Sequence, residues 1–144
     1  MEEIELKVGP DIDEASLLAL YNAVNWTVYT NEQNRDKLSA AVHNSTYVVS
    51  AWQGDQLVGL ARVLSDDISI FYLQDILILP DFQGMGIGRK LLTNCLERFK
   101  HVRAKVLMTD NEDRQIKFYE SMGFENTKKI NRFTLNVFVK LGTG

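Results

Sequence analysis

The run Asp75-Ile76-Leu77-Ile78-Leu79-Pro80-Asp81-Phe82-Gln83-Gly84-Met85-Gly86-Ile87-Gly88-Arg89 passes from an apolar strand, through a proline, into glycines that open a helix. The first four N–H groups of a helix have no internal partners, and the aligned peptide dipoles make that end positive. Glycines let an anion approach such a backbone closely. The segment Gly84–Arg89 is therefore suited to a pyrophosphate, and Arg89 adds a fixed positive charge. Two phosphate motifs are excluded. A P-loop needs Gly-Lys-Ser/Thr, whereas Gly88 is followed by Arg89-Lys90-Leu91. A dinucleotide fingerprint needs a third glycine where Arg89 stands, and it sits early in an alternating βαβ series. A glycine-rich strand-to-helix turn without a ligand has the same local sequence.

Towards the N-terminus, Ile4, Leu6 and Val8 alternate with Glu3, Glu5 and Lys7, the pattern of a half-buried strand that Gly9-Pro10 ends. Asp11 or Asp13 caps a helix carrying Leu17, Leu18, Leu20, Tyr21 and Val24. Thr30 with Gln33 reads as a capping box that starts a second helix through Leu38, Ala41 and Val42. Residues 46–52 and 57–64 form a hairpin about Gln53-Gly54-Asp55-Gln56, and 68–79 is the longest strand. Beyond the glycines, Ile87, Leu91, Leu92, Cys95, Leu96 and Phe99 form an apolar helical stripe. A short strand at 105–108 and a helix at about 114–122 follow, with Gly123 at its C′ position. Residues 124–126 and 133–141 read as closing strands. Hairpins precede a single crossover unit, so the sheet should be mixed and mostly antiparallel, flanked by about four helices. No Pro/Gly/Ser linker divides the chain, and 1–144 is expected to be one α/β (α+β) domain.

Gln83-x-x-Gly86-x-Gly88 after a strand resembles the acyl-CoA loop of the GNAT superfamily of N-acyltransferases. Downstream, Phe118-Tyr119-Glu120-Ser121-Met122-Gly123-Phe124 resembles that family's second signature, an aromatic-Tyr-Glu-x-x-Gly-Phe run, and the element order matches the family fold. The resemblance implies that acetyl-CoA is the co-substrate and that the amides of Gly84, Met85, Gly86, Ile87, Gly88 and Arg89 hold its pyrophosphate. It implies a strand splayed from its neighbour by a bulge, with the pantetheine arm beside Ile76, Leu77 and Ile78. An N–H of Leu77 or Ile78 would then face the acetyl oxygen. Tyr119 resembles the general acid that protonates or hydrogen-bonds the leaving thiolate. The family often places an Asn seven positions before that Tyr; Glu112 fills that slot here, and Asn111 sits one earlier, either on the CoA arm or as a turn residue.

An arriving amine is an ammonium, with a pKa near that of lysine, about 10.4. Some relatives use a Glu on the strand after the crossover helix, but Lys105-Val106-Leu107-Met108 has no carboxylate. Asp75 on the long strand is the candidate base. A hydrogen-bonded structural carboxylate and a water chain to bulk solvent are the alternatives. Trp26 and Tyr29 lie in the link between the first two helices, the acceptor side in this family; a packed apolar loop reads the same way. Cys95, on an apolar stripe, reads as core, so direct attack by the amine in a ternary complex is expected. A regulatory module that binds acetyl-CoA without turnover is the alternative function.

Composition bounds these readings. The chain has 144 residues, a formal net charge of −3 and one cysteine. The charge argues against a nucleic-acid partner, and a single cysteine excludes an intrachain disulfide and a Cys-based metal site; no metal is expected. The acidic start Met1-Glu2-Glu3 is unlike a signal peptide, and no apolar run approaches the roughly 18 residues of a membrane helix. A cytoplasmic protein is expected; the alternating Phe133, Leu135, Val137 and Val139 within 133–141 suit either the core or a homodimer interface.

Overall fold

The computed structural model describes residues 3–142, so the first two residues of the acidic start lie outside it. Two compact units are distinguished, Met1–Met108 and Thr109–Gly144.

The first unit holds a five-stranded sheet in the order β1-β2-β3-β4-β5. Its strands are β1 (Ile4–Val8), β2 (Tyr47–Gln53), β3 (Gln56–Ser65), β4 (Ile70–Ile78) and β5 (Ala104–Leu107). β1 to β4 pair antiparallel, and β5 lies parallel to β4. The helices are α1 (Glu14–Ala23), α2 (Arg35–His43) and α3 (Ile87–Arg98). Asp13 caps α1 by accepting the Ser16 N–H at 3.0 Å. The expected capping box at Thr30 does not form, and α2 starts at Arg35. The Thr30 hydroxyl turns back to the Thr27 carbonyl, and Asn31 Oδ1 accepts the Asn34 N–H at 3.0 Å. Those local bonds offer the backbone an alternative to a first helical turn.

One sheet face carries α1 and α2. Leu17, Leu20 and Tyr21 of α1 and Leu38 and Val42 of α2 pack there on Val48, Trp52, Leu60 and Leu77. On the other face the stripe of Ile87, Leu91, Leu92 and Cys95 is buried, as its helical spacing requires. The Phe99 ring meets Phe71 at 5.5 Å and Tyr47 at 5.6 Å, both edge-on. A Cβ at Gly59 would stand 2.9 Å from Ile78 Cδ1 and 3.2 Å from Leu91 Cδ1, so glycine lets α3 sit close over β3 and β4.

β4 contains a bulge. Val63 pairs with Leu73 and Arg62 with Asp75, leaving Gln74 as the extra residue. The burial along β4 alternates without a break, yet the bulge changes which face each buried residue serves. Phe71 packs on Phe99 of the α3 face, while Leu77 belongs to the α1/α2 core. Pairing with β5 runs from Ile70–Ala104 to Leu73–Leu107 and ends there. From Asp75 to Ile78, β4 pairs with β3 alone among the described residues, which gives the splayed pair.

The second unit contains α4 (Asp113–Ser121) and a 3₁₀ turn at Thr127–Lys129. The Gly123 N–H reaches the Glu120 carbonyl at 3.1 Å and the Phe124 N–H the Tyr119 carbonyl at 3.0 Å, with Gly123 at φ 94°. This is a Schellman end, and the accompanying apolar contact is Phe124 against Tyr119, with ring centroids 6.1 Å apart. The closing strands expected at 124–126 and 133–141 are not formed in the described residues. Phe133, Leu135, Val137 and Val139 are all exposed. Alternation marks a chain able to pair, but a strand exists only with a ladder partner and a buried face.

Candidate acyl-CoA site

β4 ends in a single 3₁₀ turn at Pro80–Phe82, and the chain then enters α3 through Gly84 (φ 80°) and Gly86 (φ 82°). Both are left-handed, the region that disfavours side chains, and a Cβ on either would meet nothing within 4 Å. The glycines are thus required by the backbone turn and face open space. Gly86 is the N-cap of α3 and supplies no side-chain cap; the first turn carries no acidic residue. The first intrahelical bond runs from the Lys90 N–H to the Gly86 carbonyl at 3.1 Å. The amides ahead of it have no helical carbonyl to pair with. Arg89 and Lys90 lie where the dipole favours anions, an arrangement better suited to an external anion than to the helix itself. Ile87, buried beneath, anchors the helix mouth. A groove of about 780 Å³ runs from Gly86 and Arg89 past Lys90 and Asn94 to Tyr47.

The Leu79 N–H donates to the Val58 carbonyl at 2.8 Å, which sets the phase of the β3–β4 ladder. Alternate residues of an antiparallel pair bond in the same direction, so Asp75 and Leu77 turn their main-chain groups toward β3. Ile76 and Ile78 turn theirs to the opposite edge, the one β5 no longer covers. The Gln83 side chain donates to the Ile78 carbonyl on that edge at 3.1 Å and so ties the glycine loop to the strand. Of the expected residues beside the acyl arm, Leu77 therefore has its amide toward β3 and its side chain in the core; the Ile76 and Ile78 amides lie on the edge that no strand pairs among the described residues.

Asp75 is 9% exposed. Its Oδ2 accepts from Arg62 Nε at 2.6 Å and from the Tyr21 hydroxyl at 2.8 Å. Burial, then the Asp75 charge, pushes the Tyr21 phenol far above its ordinary range. Burial opposes the charge on Arg62, but the adjacent Asp75 outweighs it and raises the guanidinium. Neither partner was legible in the sequence, because they lie 54 and 13 positions from Asp75.

In the second unit Tyr119 is on α4 and Asn111 lies exposed in the bend before it. Burial pushes the Tyr119 phenol up to about 12, so it holds its proton at neutral pH. Cys95 is fully buried, and burial pushes its thiol up to about 12, which makes it a core residue and a poor nucleophile. His43 bonds the Ser39 carbonyl and His101 bonds Asp67. Among the described residues no group of three or more His, Cys, Asp or Glu could hold a metal ion, and no helix is long and apolar enough to cross a membrane.

A mixed sheet whose fourth strand parts from its neighbour and runs into a glycine-opened helix is the frame of an acyl-CoA-dependent acyltransferase. Residues 14–140 match the acetyltransferase (GNAT) domain model, and the chain belongs to the GNAT acetyltransferase family. A GNAT family acetyltransferase from Streptococcus pneumoniae TIGR4 superposes with a TM-score of 0.81 at 29% identity, covering 99% of this chain and 100% of that one. An uncharacterized N-acetyltransferase of Pyropia yezoensis is 27% identical over 127 residues, 85% of this chain and 71% of that protein. A histone acetyltransferase of Glycine max is 29% identical over 138 residues; these are 87% of this chain but 57% of that protein, so the chain spans little over half its length. The same fold occurs in the enzyme AAC(6')-Iy bound to a bisubstrate analogue of CoA, at a TM-score of 0.69 and 15% identity, covering 94% of this chain and 99% of that one.

Proposed function

We propose that this chain moves the acetyl group of acetyl-CoA onto a primary amine of a small molecule or peptide, by direct attack in a ternary complex. The observation that carries the reading is the mouth of α3: two left-handed glycines, open space above them and no capping side chain, at the end of a strand with one uncovered edge. The amides of Gly84–Arg89 grip the pyrophosphate, and the arm lies along Ile76–Ile78. An open amide of that edge, best that of Ile78, faces the acetyl oxygen as charge builds on it. Asn111 is a further contact for the arm. Tyr119 donates its proton, or a hydrogen bond, to the sulfur as the C–S bond breaks. Two routes are open to the ammonium proton: the Asp75 carboxylate, and waters leading to bulk solvent. Trp26 and Tyr29, both partly exposed, supply aromatic surface for the acceptor.

The reading takes 1–144 as one acetyltransferase domain, which the span of the family match across both units supports. It also takes the protein as cytoplasmic and as a homodimer; the exposed apolar residues from Phe133 to Val139 support the dimer.

Thiol release from acetyl-CoA, followed with an amine panel of aryl- and alkylamines, polyamines, aminoglycosides and peptide N-termini, tests the proposal. Amine-dependent release is expected. Binding without release for any amine would leave the regulatory module as the function, and no binding would refute both.

A further inference from the structure

Asp75 follows the bulge residue Gln74, and two elements besides its own strand meet on its carboxylate. Tyr21 comes from α1 and Arg62 from β3. Arg62 Nη1 continues to Ser45 Oγ at 3.3 Å, and that hydroxyl donates to the Ala41 carbonyl of α2 at 2.8 Å. Tyr72, just before the bulge, is the remaining titratable group nearby; burial, then the Asp75 charge, raises its phenol. The Tyr21 ring also touches Trp26, centroid to centroid 6.3 Å, so the link between α1 and α2 joins the same chain of contacts.

A general base needs a lone pair aimed at the proton it takes and must gain by taking it. Asp75 Oδ2 already holds two donors, one of them a fixed cation. A proton there would break the charge-assisted bond and leave a mostly buried guanidinium without its counter-ion. The arrangement is well built for something else, which is to hold a salt-bridged carboxylate in one place at the bulge. The bulge in turn decides where the Ile76 and Ile78 amides point.

We infer that Arg62 and Tyr21 are positioning residues: they clamp the Asp75 carboxylate in one place beside the β4 bulge, so that the open strand edge and the Trp26 link keep one geometry, and the ammonium proton leaves through water. The catalytic part of this inference rests on the acetyl-transfer reading; the geometric part does not.

Four variants of the full chain test it: Arg62→Met, Asp75→Asn, the double variant and Tyr21→Phe. Turnover is read with acetyl-CoA and the best amine of the panel, and amide hydrogen exchange is read at Ile76 and Ile78. Each single charge variant should lower kcat by about a hundredfold through misplacement, with little change in the acetyl-CoA KM and faster exchange at both amides. The double variant has no unpaired charge but also no clamp; both amides should still exchange faster than in the wild type, and kcat should stay low. Tyr21→Phe keeps the ring on Trp26 and should lose roughly tenfold in kcat. If the double variant shows native exchange yet stays as slow as Asp75→Asn, Asp75 is the proton acceptor and the inference is wrong. If no amine turns over, exchange alone decides, and native exchange in Arg62→Met overturns the clamp. If Arg62→Met does not fold, Tyr21→Phe carries the same judgement, and wild-type exchange and rate there overturn it.

Discussion

Tyr119 combines a structural and a chemical position on one residue. Its carbonyl and ring belong to the Schellman end of α4, and its phenol is pushed up to about 12 by burial. A phenol raised in this way is protonated below that pH and loses its proton only above it. Turnover should therefore show no falling alkaline limb from this group below about pH 10. Tyr119→Phe should lower kcat by a factor of about 10² to 10⁴ while the thermal shift with acetyl-CoA persists; an unaltered kcat would remove Tyr119 from the reaction. Cys95, fully buried and its thiol raised by that burial, is expected to be dispensable, so Cys95→Ala should still turn over and no acetyl-enzyme should appear by mass spectrometry. The Asp75 partners mark the limit of legibility at this scale. A carboxylate on an apolar strand can be seen in a sequence, but the residues that neutralise it are brought together only by folding.

The two glycine signatures respond differently to the same kind of change. At Gly86 the backbone is left-handed and the space above it is open, so Gly86→Glu adds strain and places a carboxylate where a pyrophosphate is proposed to lie. Loss of the acetyl-CoA thermal shift is expected, and wild-type binding in that variant would refute the loop assignment. At Gly123 a Cβ also meets nothing, and only the φ of 94° resists it. Gly123→Ala should cost about 1–2 kcal/mol in chemical denaturation. The strand–glycine–helix junction and the apolar stripe of α3 were legible because turn chemistry and periodicity are local. The start of α2 was not, since Thr30 and Asn31 found nearer partners. The closing strands do not form among the described residues for a different reason: alternation at Phe133–Val139 marks a capacity to pair, and pairing depends on what lies alongside.

For the whole molecule, a ligand that binds only the folded state adds stability by mass action. Acetyl-CoA at about one hundred times its dissociation constant should add about 2.7 kcal/mol, and raising the salt should weaken the shift because phosphate contacts are screened. α3 links that ligand to the core, because Ile87 at its mouth and Leu91 one turn on are buried over Gly59. Leu91→Ala should cost about 2–5 kcal/mol in urea unfolding. The general architecture was legible because it follows from hairpins, one crossover and the apolar stripes. The change of face within β4 was not, because burial alternates evenly through it and parity alone puts Phe71 and Leu77 on one side.

Gln74 works like a one-letter insertion in a reading frame. Upstream of it β4 is written for the α3 layer, and downstream the same odd-numbered positions are written for α1 and α2. Deleting that single exposed residue would keep the frame, because Leu73 and Asp75 already stand opposite the adjacent Val63 and Arg62. Keeping it but straightening the bulge would be the frameshift: Asp75 would be sent toward the apolar underside of α3, and Ile76 and Ile78 toward Tyr21 and Arg62.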